Sequence, residues 1–165
     1  MLSGRVTDKM LFVTIYTLVA MLVVIQGGRQ VTNYVLDVMF YNNYLMPWQV
    51  QLIVMRQQTT QWPVYREHDP AGYMRALVDA MALKGLAAPE SNTDKHYVYK
   101  LNKFGEKEQQ ILIVGTLEKI ILFNLPESTF NRIDWFIDSH LDATTGRFTG
   151  KVSTDGISRI GYLKI

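Results

Sequence analysis

The sequence predicts an α+β protein: a single N-terminal transmembrane helix continuing into a long stalk helix, then a small head with an antiparallel sheet packed on helices. Three observations predict it. Met10 to Gly28 runs for nineteen residues without a charge. Arg29 to Gln61 contains no glycine and keeps its apolar residues at helical spacing. Beyond Pro63, β-branched apolar runs alternate with two segments of helical period.

The first stretch sets the rest. A helix of that length reaches about 28 Å, close to a hydrocarbon core of about 30 Å. Only Thr14, Tyr16, Thr17 and Gln26 interrupt its apolar character, so it lacks the polar face of a globular-core helix. A cleaved signal peptide is the competing expectation. The apolar run exceeds the usual h-region of about 7–15 residues, and Gln26-Gly27 before Gly28 does not make a small-residue cleavage pair. An uncleaved anchor fits better. Arg5 and Lys9 precede the span, so the positive-inside rule favours a cytoplasmic N-terminus with everything after Gly28 outside. The expected division is a cytoplasmic start over 1–9, an anchor over 10–28, a stalk over 29–62 and an extracytoplasmic head over 63–165.

In the stalk, Val31, Tyr34, Val35, Val38 and Met39, then Leu45, Trp48, Leu52 and Met55, approximate an i, i+3, i+4, i+7 rhythm. That face suits packing on the head, or docking of other helices. Pro47 predicts a kink or break, because it removes a backbone hydrogen bond and collides with the preceding turn. Trp62-Pro63 is expected to end the stalk. Asp69-Pro70 reads as an N-cap with proline at the first helical position, and Gly85 closes that helix. Strands are expected over His96–Leu101, in two parts of Ile111–Leu125 interrupted near Gly115 to Lys119, and over Phe148–Ser153 and Ser158–Ile165. The last two are joined by a hairpin at Asp155-Gly156. Between the two sets, Ser128 is the expected N-cap of a helix to about His140, with Phe130, Ile133, Phe136 or Ile137, and Leu141 on its apolar face.

Composition narrows the function. A net charge of +2 with both signs dispersed offers no nucleic-acid surface. With no cysteine, disulfides, thiolate metal sites and cysteine nucleophiles are excluded. His68, His96 and His140 lie far apart, with Asp69, Asp138 and Asp142 the nearest candidate co-ligands, and surface or capping roles suit them better than a metal site. Ser128 has no G-x-S-x-G elbow around it. Gly146 and Gly150 are spaced as turn residues, not as a phosphate loop. Asp134, Asp138 and Asp142 recur every four residues, either as a solvated acidic face or as a cation or partner site near the Asp142 turn. No cofactor and no catalytic residue is expected.

The organisation of the chain resembles type IV pilins and type II secretion pseudopilins. Two features carry the likeness. Leu125–Gly146, LPESTFNRIDWFIDSHLDATTG, is similar to the pilin segment in which a short helix bearing Ile-Asp pairs (here Ile133-Asp134 and Ile137-Asp138) precedes an Asp/Gly turn and a strand. Pro47 sits about where that family's helix has its second bend. The chain departs from the family at its start: Gly4-Arg5 and VTDKMLF replace the cleavage motif, and no glutamate precedes Glu67. The resemblance therefore implies an unprocessed accessory protein, and the mannose-sensitive haemagglutinin-type pilus, with small accessory membrane proteins of about this size, is the particular system it suggests. Helix–hairpin repeated twice behind an anchor is also similar to the ferredoxin-like heads of alignment proteins in the same machines.

The expected function is a single-pass inner-membrane accessory or structural component of a type IV pilus or type II secretion machine, with its head in the periplasm. It would act by protein–protein interaction. Its partners would be pilin or pilus-assembly membrane proteins and the lipid bilayer, with no nucleic acid. The expected contact residues are Thr14, Thr17 and Ala20 in the anchor, where close approach of helices favours small and hydroxyl side chains, and Tyr34, Met39, Leu45 and Trp48 on the stalk. The alternative is a membrane-tethered periplasmic ligand-binding sensor or small hydrolase, which would show a deep apolar pocket with convergent polar groups.

Overall fold

The computed structural model describes residues 3–59, 61–65 and 68–165, with side chains from residue 9 onward. The chain is α+β. One helix runs from Ser3 to Gln58 as α1 (Ser3–Phe40), a single π-helical turn (Tyr41–Leu45) and α2 (Met46–Gln58). It is long and apolar enough to cross a membrane.

The helix does not break at Pro47. In a regular helix the proline ring collides with the carbonyl four residues back, here that of Asn43. The π turn widens the helix at that point, and the Met46 N–H reaches five residues back to the Tyr41 carbonyl. The helix ends before Trp62-Pro63: Thr59 is already extended, at φ −152° and ψ 143°.

α3 (Pro70–Leu83) begins as the sequence predicts, with the Asp69 carboxylate accepting from the Gly72 N–H at 2.8 Å. Gly85, at φ +72°, ends it in a Schellman turn, with the Leu86 and Gly85 N–H groups bonded to the Met81 and Ala82 carbonyls. Five strands follow: β1 (Val98–Leu101), β2 (Gln109–Gly115), β3 (Lys119–Leu125), β4 (Phe148–Val152) and β5 (Arg159–Lys164). Their order is β1-β2-β3-β5-β4 and every neighbouring pair is antiparallel. Because β3 and β4 each pair antiparallel with β5, they run parallel to one another with β5 between them. The helix α4 (Glu127–Asp138) joins them as a split βαβ crossover, the unit from which ferredoxin-like sheets are built.

α4 starts two residues earlier than the Ser128 N-cap predicts, with Pro126 at the cap and no side-chain capping bond. Ser128 lies inside the first turn. The helix stops at Asp138 because Ser139 turns left-handed, at φ 59°.

The register puts Tyr99, Ile111, Ile113, Gly115, Ile120, Leu122, Gly161, Leu163, Phe148 and Gly150 on one face of the sheet. The long helix and α4 cover that face. Phe40 and Tyr44 stack on Tyr99 at 5.0 and 4.8 Å, and Leu52 packs so closely on Gly115 that a Cβ there would lie 2.6 Å from its Cδ1. Phe130 of α4 meets Phe148 at 4.9 Å, in space left by Gly150. Gly150 is thus a packing residue within β4, not the turn residue its spacing suggests.

Candidate functional site

The long helix has two environments. Every residue from Lys9 to Gly28 is exposed within the chain, whereas Phe40, Tyr44, Leu45, Trp48, Leu52 and Met55 are wholly buried in the head. The stalk is therefore the central element of the head's own core. Those six side chains spend the apolar rhythm of residues 40–55 on the head's own core.

The expected contact residues divide accordingly. Thr14, Thr17 and Ala20 lie on the bare part. Both threonine hydroxyls donate within their own helix, to the Met10 carbonyl at 2.9 Å and the Val13 carbonyl at 2.8 Å. What they offer a neighbour is a small, internally satisfied surface. Gly27 and Gly28 have nothing within 4 Å of a Cβ. Tyr34 is partly exposed and packs edge-on to Phe136 at 6.2 Å, with the Arg132 guanidinium 4.7 Å from its ring centre. Met39 is exposed. Leu45 and Trp48 are 0 % exposed and so present no surface to another helix.

A polar clamp ties the outer helix to the head. Asp37 and Lys103 form a buried ion pair, 3 % and 4 % exposed, with Nζ 2.8 and 2.9 Å from the two carboxylate oxygens. Lys103 Nζ also donates to Ser128 Oγ at 3.0 Å. One lysine thus joins α1, the β1–β2 loop and α4. Nearer the anchor, the Asn33 side chain bonds the Phe104 backbone twice, accepting its N–H at 2.8 Å and donating to its carbonyl at 3.2 Å. Arg29 donates to the Gly105 carbonyl at 3.2 Å. At the far end Arg56 donates to the Leu117 and Ile165 carbonyls. Sequence reading missed Asp37 and Lys103. The signal was present: Asp37 is the sole acidic residue between Asp8 and Glu67.

The acidic stripe is neither a solvated face nor an ion cage. Asp134 accepts the Asp142 N–H at 2.9 Å, and burial pushes its carboxyl above the usual range. Asp138 accepts two backbone donors, Arg147 N–H at 2.9 Å and Phe148 N–H at 2.8 Å. Asp142 accepts from the Thr144 hydroxyl and N–H and the Thr145 hydroxyl, which hold its carboxyl down at about 2. Each carboxylate fastens the turn from α4 into β4.

Elsewhere, the Tyr73 hydroxyl donates to the Gly115 carbonyl at 2.8 Å, and burial pushes it up to about 12. Tyr44 donates to the His96 carbonyl at 2.8 Å and is raised by burial as well. Both phenols are fixed as neutral donors. The His96 ring lies 3.1 Å from the Pro89 carbonyl, and that of His140 lies 2.7 Å from the Asp138 carbonyl. Among the described residues no three His, Asp or Glu side chains converge. An open cavity of about 540 Å³ lies on the other face of the sheet, lined by Tyr65, Lys119, Ile121, Phe123, Ile160 and Tyr162 among others. Comparison with family models, curated proteins and solved structures finds no match.

Proposed function

We propose that this chain is a single-pass, non-enzymatic accessory or structural subunit of a type IV pilus or type II secretion assembly machine. It lies in the bacterial inner membrane with its N-terminus cytoplasmic and its head periplasmic. The observation that carries the reading is the division of one unbroken helix into a bare half and a half buried in the head. A subunit that grips the bare half fixes the position of the head, because no flexible joint separates them. In a bilayer such gripping comes from close packing of helices, not from hydrophobic gain over lipid. Thr17 and Ala20, three residues apart, share a side of the helix and leave room for it. The placement of Arg5 and Lys9 before the span supports the orientation. The choice of machine rests on the pilin resemblance of 125–146 and of the helix-into-sheet organisation.

Photo-crosslinkers at Thr17 and Ala20 test it in cells. Capture of pilin or pilus-assembly membrane subunits is the expected result, and a chain that captures none of them is not such a subunit. The cavity beside Lys119 and Tyr162 favours a second reading, a tethered ligand-binding protein. In that case Tyr162→Ala, and not a change in the span, would abolish function.

A further inference from the structure

We propose that the β1–β2 loop is a second membrane contact, with the Phe104 ring seated in the headgroup layer of the leaflet from which the helix emerges. This rests on reading residues 10–28 as a membrane span. Three consecutive loop residues are tied to the helix, each about one turn lower than the last: Lys103 to Asp37, Phe104 to Asn33, and Gly105 to Arg29. The loop therefore descends along the helix toward the end of the apolar run. Asn33 is five residues beyond Gly28, or about 7–8 Å along the axis. The headgroup layer on each side of the hydrocarbon is about 5–8 Å thick. Phe104 falls at its outer border and Gly105 within it.

The depth is set by structure. Gly105 sits at φ +75°, and a Cβ there would lie 2.6 Å from Arg29 Cζ, so the loop accepts no bulkier residue without losing the Arg29 contact. Phe104 is left 59 % exposed. Glu106 and Lys107 beside it are exposed and suit a headgroup environment. An aromatic ring at that level, flanked by charge, matches the side chains that anchor proteins in the interface. With two attachments, helix and loop, the head stands at a fixed angle to the membrane, and the bare helix keeps one rotational setting toward its partners.

The test uses the full chain in vesicles of phosphatidylethanolamine and phosphatidylglycerol. An environment-sensitive fluorophore is attached in turn at Phe104→Cys, Val19→Cys and Leu117→Cys. Leu117 lies at the opposite end of the head, beside Arg56, which is 27 residues or about 40 Å up the helix from Arg29. Lipids spin-labelled near the headgroup should quench the Phe104 probe and shift its emission to the blue, whereas lipids labelled deep in the chain should quench Val19 most. Leu117 should respond to neither. Quenching at Val19 but not at Phe104 overturns the proposal and leaves the span standing. Equal quenching at Phe104 and Leu117 also overturns it, since the head would then lie on its side. An unquenched Val19 overturns the span itself, and the proposal with it.

Discussion

Replacing Lys103 by methionine removes one half of the Asp37–Lys103 pair and leaves a carboxylate buried without a counter-charge. At a separation of 2.8 Å and an effective dielectric of about 20, the pair's raw attraction is about 6 kcal/mol. Removing two ions from water costs a similar amount, so the intact pair adds little net stability. Its loss on one side is different. Asp37 is 3 % exposed and cannot recover its hydration, which puts the cost of Lys103→Met at about 3–5 kcal/mol. For a chain of this size that lowers the melting temperature by on the order of 10 °C. Asp37→Leu should cost a similar amount. The double substitution Asp37→Leu with Lys103→Met should return most of it, because two apolar side chains then replace two charges. The assay is urea unfolding of the full chain in detergent micelles, followed by tryptophan fluorescence, since Trp48 reports directly on the helix–sheet contact. A single substitution costing under about 1 kcal/mol, or a double substitution costing the sum of the two, would show that the outer helix is not held to the head by this pair.

Three further substitutions or titrations probe the head. Gly150→Ala would drive a methyl group into the Phe130 ring and to within 2.8 Å of the Ile160 carbonyl. It should cost about 1–3 kcal/mol in the same unfolding assay, and a neutral result would refute the close packing of α4 on β4. Asp138→Asn can satisfy only one of the two backbone donors from Arg147 and Phe148, so a loss of about 1–3 kcal/mol is expected; an unchanged midpoint would return the residue to a solvated role. Acid should weaken the head. The Thr144 hydroxyl and N–H and the Thr145 hydroxyl hold Asp142 at about 2, below its ordinary 3.8, and the Ser158 hydroxyl with the Ile157 N–H depresses Asp155. A depressed carboxyl stabilises the fold while ionised, so this contribution is complete above pH 3.8 and disappears as pH falls toward about 2. Asp134, raised by burial, works in the opposite direction. Circular-dichroism melts should fall across that interval, and less so for Asp142→Asn; equal falls in the two proteins would contradict the assignment.

Local chemistry made much of this fold legible. The Asp69-Pro70 start and Gly85 stop of α3 depend on neighbouring residues alone, and both stand where the sequence places them. The interruption of 111–125 into two strands follows from turn residues in the run. The fate of the stalk face was not legible, because Leu45, Trp48 and Leu52 show the same helical rhythm whether they meet the chain's own sheet or another subunit. Pro47 illustrates a second limit: its collision with the preceding turn is certain from sequence, but a π turn relieves it as well as a break does. The Asp134, Asp138 and Asp142 spacing describes one helical face, yet the left-handed Ser139 folds the following loop back so that its N–H groups reach those carboxylates. Ser128 has the chemistry of a cap, and Lys103, which claims its hydroxyl, is 25 residues away.

The role of the bare helix is open to one direct measurement. In cells producing the full chain, Met10–Ile25 is exchanged for an unrelated apolar span of equal length, and capture of membrane subunits by a crosslinker at Tyr34 is compared before and after. Tyr34 is partly exposed on the stalk and is unchanged by the exchange. The expected result is a strong loss of capture with the head still folded, since the native packing surface of Thr17 and Ala20 is gone. Undiminished capture, or full function restored by the head without any span, would contradict helix association as the mechanism.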